Sequence, residues 1–177
     1  IGGIMVSCKE KAKENKIETD SLSVKSDSLI QEKTEEIQGN VQIVRSDFDK
    51  IQAALNTKSD TVYITNYWAT WCGPCVEEIP EFVALQNEYK DKKVKFSFVN
   101  VDKEGIIESE VIPFVQKNKM ENVYHMSIEE LVTKISSIDP KLEGGIPVTV
   151  IQKGTNREGF LGSLPKAFME EKITEYL

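Results

Sequence analysis

The run Trp71-Cys72-Gly73-Pro74-Cys75 holds the residues best suited to chemistry in this chain of 177 residues. Two cysteines three apart can close a small disulfide ring with little distortion. An apolar, β-branched segment precedes them and a helical pattern follows, so Cys72 falls at a helix N-terminus. Free backbone N–H groups and the positive end of the helix dipole stabilise a thiolate there. Cys72 is therefore the natural nucleophile. Cys75, one turn further in, is shielded and suited to resolving a mixed disulfide. Gly73 lets the backbone approach closely, and Pro74 fixes φ in the first turn without wasting an N–H. Cysteines at this spacing also serve metal sites, but the second pair of ligands is missing. Cys8 is distant and His125 is the only imidazole. Redox use is the expectation, with no cofactor beyond the Cys72–Cys75 disulfide. A copper-binding protein using Cys72, Cys75 and His125 is the rival reading. A lone histidine is otherwise expected at the surface or at a strand edge.

The elements that must position this pair follow from periodicity. Thr61 to Tyr67 is β-branched and aromatic on both faces, as a buried central strand would be, and a helix is expected from about Gly73 to Lys90. Val94 to Val101 reads as a second doubly apolar strand, and Val41 to Val44 as a short one. Ser46-Asp47-Phe48-Asp49 starts a helix that carries Phe48, Ile51 and Leu55 on one face. About Glu108 to Lys119 reads as helix, with Pro113 in its first turn or at a kink. Ser127 and Glu130 form a capping box, and Ile128, Leu131, Val132 and Ile135 give a stripe. Pro147 to Gln152 is a strand, Gly154 to Glu158 a turn, and Phe160 and Leu161 lie in the partner strand. Ser163 and Pro165 open a last helix that turns Phe168, Met169, Ile173 and Tyr176 inward. Strands alternating with helices predict an α/β sandwich around a mixed sheet.

With these elements placed, Trp-Cys-Gly-Pro-Cys after a strand resembles the thioredoxin superfamily, over about Val41 to Leu177. Pro80 resembles the proline that kinks the active-site helix of that family. Gly145-Ile146-Pro147-Val148-Thr149 resembles the loop whose proline is cis and packs beside the disulfide. Gly162 matches a recurrent glycine before the last helix. The resemblance implies a three-layer α/β/α fold with a helical insertion before the cis-proline strand. It also implies a substrate-binding role for Ile146 and Pro147, the Ile146 backbone bonding an extended substrate strand to strand. Trp71 would stack on the substrate chain or shield the disulfide, and Trp68 reads as core.

Two departures narrow the branch. Asn66 stands where thioredoxin has a buried aspartate, and asparagine cannot accept the proton of Cys75. Asn-Tyr-Trp-Ala-Thr-Trp-Cys-Gly-Pro-Cys-Val-Glu-Glu-Ile-Pro is similar instead to the membrane-anchored TlpA/ResA-like branch, which often carries a glutamate three after the second cysteine, here Glu78. Glu78 would relay that proton from the same helix face, or else face solvent and complement the dipole. The stretch from Cys75 to Pro147 is also longer than in a minimal thioredoxin. The extra length, at about Lys103 to Gly144, would select substrates or complete the sandwich. The branch implies an extracytoplasmic thiol–disulfide oxidoreductase acting on protein disulfides and re-reduced by a membrane thiol protein. Cytochrome c maturation and general disulfide reduction are both tasks of the branch. A disulfide oxidase or isomerase, or a non-catalytic adaptor, stays open.

Composition sets the outer bounds. Lys and Arg number 22 against 29 Asp and Glu, a net charge of −7, which argues against a nucleic-acid partner. No apolar run approaches a membrane span. Every aromatic lies at or after Phe48, and residues 9–40 are charged and Ser-rich, which reads as a polar tether. Ile4-Met5-Val6-Ser7-Cys8 resembles the end of a bacterial lipoprotein signal. Residues 1–8 would then hold a lipidation site at Cys8, placing 41–177 as a domain anchored on the cell-envelope side.

Overall fold

Val62–Trp68 (β2) is the strand around which the rest assembles, and six of its seven side chains are buried. The computed structural model describes residues 1–3, 41–55 and 58–177, and 41–177 form one unit. The expectations for Cys8 and for 9–40 lie outside the described residues. Within 41–177, Ile43–Arg45 (β1), β2, Val94–Asn100 (β3), Val123–His125 (β4), Val148–Lys153 (β5) and Asn156–Leu161 (β6) form one sheet in the order β1-β4-β3-β2-β5-β6. β2 runs parallel to β3 and antiparallel to β5, with Trp68 opposite Asn100 and Tyr67 opposite Val148. The sheet is therefore mixed, as expected. It changes from parallel to antiparallel at β2, the strand that leads into the cysteines.

Helices pack on this sheet. Phe48–Ala54 (α1) is capped by Asp47, whose carboxylate accepts from Lys50 N–H at 2.8 Å, and buries Phe48 and Ile51. Gly73–Glu88 (α2) starts at the motif, holds Pro80 within it, and buries Ile79, Phe82, Val83 and Leu85. Ile112–Asn118 (α3) has Pro113 in its first turn. Just before it come a 3₁₀ turn at Glu104–Ile106 and a π turn at Ile107–Val111, so the single helix expected from about Glu108 begins in π form. Pro113 has no N–H for the carbonyl one turn back, so the preceding register is free to widen.

Ile128–Lys134 (α4) is capped by Ser127, whose hydroxyl accepts from Glu130 N–H at 3.2 Å. The reciprocal arm of the expected capping box is diverted, because the Glu130 carboxylate accepts instead from Phe48 N–H at 3.0 Å and ties α4 to α1. Leu131 and Ile135 are buried, but Val132 is 59% exposed, because the helix is short and its stripe narrower than expected. Further on, Leu142 is buried against β6. A Cβ on Gly159 would lie 2.5 Å from Leu142 Cδ1, so that strand position needs glycine. The stretch before Pro147 thus contributes Leu131, Ile135 and Leu142 to the core. β6 begins at Asn156, inside the expected turn, because Gly154 at φ +59° turns the chain tightly enough for Lys153 to pair with Asn156. Lys166–Tyr176 (α5) buries Met169, Ile173 and Tyr176. Phe168 is half-buried, edge-on to Phe160 with centroids 5.3 Å apart.

Candidate active site

β2 delivers the chain to Trp68, a turn closes with Cys72 N–H donating to Ala69 C=O at 3.2 Å, and α2 begins. Cys72 is the N-cap of α2, and its sulfur accepts from Cys75 N–H at 3.3 Å. That N–H and the helix dipole both favour negative charge on Cys72 Sγ. The two cysteines are joined in a disulfide, with Cα atoms 5.3 Å apart. Cys72 retains 6% exposure and Cys75 none, so only one sulfur can be approached from outside. Gly73 and Pro74 lie on the surface beside it, and Trp71 is 63% exposed, whereas Trp68 is core.

The proline loop arrives from β5. Ile146–Pro147 is a cis peptide bond, and Ile146 C=O lies 3.8 Å from Cys72 Sγ. In the disulfide that sulfur has no hydrogen to donate, so the contact becomes a hydrogen bond only in the thiol form. Pro147 C=O accepts from Gly162 N–H at 2.8 Å, and Ser163 Oγ donates to Pro74 C=O at 3.3 Å. The cysteine turn, the proline loop and the segment before α5 therefore hold one another. Gly162 has φ +95°, a conformation that side chains resist.

Three residues beyond Cys75 on α2, Glu78 is only 5% exposed. It does not face solvent, which removes that reading. Its Oε1 accepts from Asn66 Nδ2 at 2.9 Å and its Oε2 from Leu164 N–H at 3.0 Å. Burial pushes its acidity weaker than the usual carboxylate range, against the opposing pull of those two hydrogen bonds. Asn66 Nδ2 also donates to Thr149 Oγ1 at 3.1 Å, while Asn66 Oδ1 is buried without a hydrogen-bond partner among the described residues.

A second polar cluster, which the sequence did not disclose, lies at the carboxyl ends of β3 and β4. It joins Thr70, Asn100, Asp102 and His125. His125 is 6% exposed and β4 is an inner strand, so it is neither a surface nor an edge residue. Both its ring nitrogens are engaged, Nδ1 at 3.2 Å from Asn100 Oδ1 and Nε2 at 3.1 Å from Glu104 Oε2. Among the described residues no group of three or more His, Cys, Asp or Glu side chains is placed to hold a metal ion. The one available signal was the polar pair Asn100 and Asp102 at the end of an apolar strand.

This fold and site define a thioredoxin-like α/β protein with a dithiol–disulfide centre at a helix N-terminus, facing a cis-proline loop. Residues 25–151 match the Redoxin family, and the chain belongs to that family. It is 31% identical over 114 residues to the thioredoxin-like protein YneN of Bacillus subtilis, covering 62% of either chain. It is 34% identical over 59 residues to the thiol-disulfide oxidoreductase ResA of Oceanobacillus iheyensis, covering 33% of this chain and 31% of that one. Both relatives are thus matched over less than two thirds of their own length. In fold, it is similar to a thiol:disulfide interchange protein from Chlorobium tepidum at TM-score 0.55 and 22% identity, covering 66% of this chain and 80% of the other.

Proposed function

We propose that the chain is a thiol–disulfide oxidoreductase that reduces disulfides in protein substrates. The observation that carries this reading is the Cys72–Cys75 disulfide, with one sulfur reachable, against the Ile146–Pro147 loop. In the reduced protein, Cys72 thiolate attacks one substrate sulfur, and the substrate's other sulfur leaves as thiolate and takes a proton. Cys75, giving up its proton, then attacks Cys72 Sγ and expels the second substrate sulfur. Two electrons pass to the substrate and the protein is left as the disulfide. Glu78, one turn beyond Cys75 on α2 and buried with it, is the group assigned to that proton. Burial already favours its protonated form. Trp71, Gly73 and Pro74 form the rim, and Ile146 and Pro147 the wall against which an extended substrate lies.

The same reading places the domain outside the cytoplasm, anchored by a lipid on Cys8 through the 9–40 tether and re-reduced by a membrane thiol protein. The likeness of Ile4 to Cys8 to a lipoprotein signal supports the anchor, and the ResA relative supports the branch. Among the described residues no helix is long and apolar enough to cross a membrane. Copper delivery would need His125 as a third ligand, and its nitrogens are committed elsewhere.

Cys72→Ser abolishes reduction of insulin disulfides, followed by turbidity, while Cys75→Ser accumulates a mixed disulfide that mass spectrometry can name. Retained activity in Cys72→Ser removes the nucleophile. The reduction potential should sit near that of thioredoxin, about −270 mV; a value near the strong oxidants, about −120 mV, would overturn the reductant direction. Cys8→Ala should release the chain from the membrane fraction, and unchanged fractionation would remove the anchor.

A further inference from the structure

Thr70 stands two residues before Cys72, and both of its donors are spent on one carboxylate. Its N–H donates to Asp102 Oδ2 at 2.8 Å and its hydroxyl to Asp102 Oδ1 at 2.9 Å. Asp102 is 2% exposed, and Oδ2 also accepts from Asn100 Nδ2 at 2.7 Å. Asn100 Oδ1 accepts from Asp102 N–H at 3.1 Å, so the amide is oriented from both ends. His125 Nδ1 lies 3.2 Å from Asn100 Oδ1. The other nitrogen meets Glu104 Oε2, and Glu104 is paired with Arg45 at 2.5 Å. One line of polar contacts thus runs from the exposed pair of Arg45 on β1 and Glu104 after β3, through His125 on β4 and the end of β3, to the turn that presents the cysteines.

The turn is already closed by main-chain bonds, Cys72 N–H to Ala69 C=O at 3.2 Å and Val101 N–H to Trp68 C=O at 2.9 Å. Neither bond fixes Thr70 itself. Asp102 does so at two points, across the gap between β3 and the turn. A carboxylate with three donors is costly to bury for a turn that needs no fixing, since a surface turn can leave its N–H groups to water. We infer that Asp102 is a positioning residue for the redox centre: through Thr70 it sets the turn that presents Trp71 and Cys72 to a substrate, while Asn100, itself met by His125, holds its carboxylate in place. This rests on the dithiol reading of Cys72 and Cys75.

The test compares the full chain with Thr70→Val and Thr70→Ser, each reduced and alkylated with iodoacetamide, the Cys72 rate being read by peptide mass spectrometry. Val keeps the shape and loses the hydroxyl bond, and Ser keeps the bond and loses the methyl. Thr70→Val slows Cys72 alkylation by roughly fivefold, the order expected for one lost charge-assisted hydrogen bond partly recovered by water, and raises KM for insulin. Thr70→Ser restores the rate of the unaltered chain. Equal rates in the Val and Ser variants overturn the inference, as does a Val variant indistinguishable from the unaltered chain. Should Thr70→Val fail to fold, Asp102→Asn takes its place. It removes a negative charge near Cys72, which alone would favour the thiolate and speed alkylation, so a slowing reports lost position and a speeding overturns the inference. Alkylation needs no substrate, so the two readings fail separately. A chain inert toward insulin whose Val and Ser variants still differ sinks the reductase reading and leaves the positioning intact.

Discussion

Glu78 and Asp102 are two buried carboxylates near one pair of cysteines, and they differ in how completely they are satisfied. Asp102 receives three hydrogen bonds through its two oxygens, from Thr70 N–H, Thr70 Oγ and Asn100 Nδ2. Glu78 receives two, and the amide that supplies one of them has its own oxygen buried without a partner. A fully bonded carboxylate is fixed in place and serves as a structural point. An under-bonded one is held where burial favours a bound proton, which is the property a proton relay needs. Two acids of similar burial can thus be separated into scaffold and chemistry by counting donors.

The largest expected effect is on the scaffold side. Asp102→Ala leaves one buried and two part-buried donors without their acceptor and should cost about 3 kcal/mol of stability, read by urea unfolding. A loss under about 1 kcal/mol would show the cluster to be as loosely held as the one around Glu78. Next comes Asn66→Asp, which places a second carboxyl where an amide now stands 2.9 Å from Glu78. The pair cannot both ionise, so its affinity for a proton rises in the folded state, and stability is lost as pH rises. The cost should be about 2 kcal/mol at neutral pH and vanish in acid; equal cost at both would place the two groups further apart.

Glu78→Gln is the gentlest. The folded protein holds the Glu78 proton more tightly than an ordinary glutamate at 4.5. Its contribution is therefore complete below that pH and lost as pH rises through the folded value. Gln does not titrate, and its amide can donate to Asn66 Oδ1 once the Asn66 amide turns over, which leaves Asn66 Nδ2 at the partnerless position instead. The variant should match the parent in acid and exceed it by up to about 1 kcal/mol in alkali, with turnover slowed and its pH profile flattened. A pH-independent difference would break the contrast between the two acids.

The cysteine motif was legible because its determinants are local: an apolar strand, two cysteines three apart, a proline at a helix start. The proline loop was legible through likeness to a family, not through any pattern in Gly145 to Thr149 alone. Glu78 was ambiguous because its partners come from afar. Leu164 lies 86 residues on, and helical periodicity cannot say what covers an acid in the second turn of a helix. The Thr70–Asp102 contact spans 32 residues and joins a turn to a strand end, so no periodic pattern marks it. His125 looked incidental for the same reason, since its burial depends on β1 pairing outside β4. The ends of elements shifted wherever a single residue decided them, as Pro113 did before α3 and Gly154 before β6.

On the reductase reading proposed above, the unequal burial of the two sulfurs also sets a kinetic rule. Cys75 is buried in the disulfide form, so a donor returning electrons must enter through Cys72, the same sulfur that attacks the substrate in the reduced form. Donor and substrate cannot be seated together. Turnover then alternates between two forms of one protein, with no ternary complex. Donor and substrate compete for the same doorway, and initial-rate plots at varied concentrations of both run parallel.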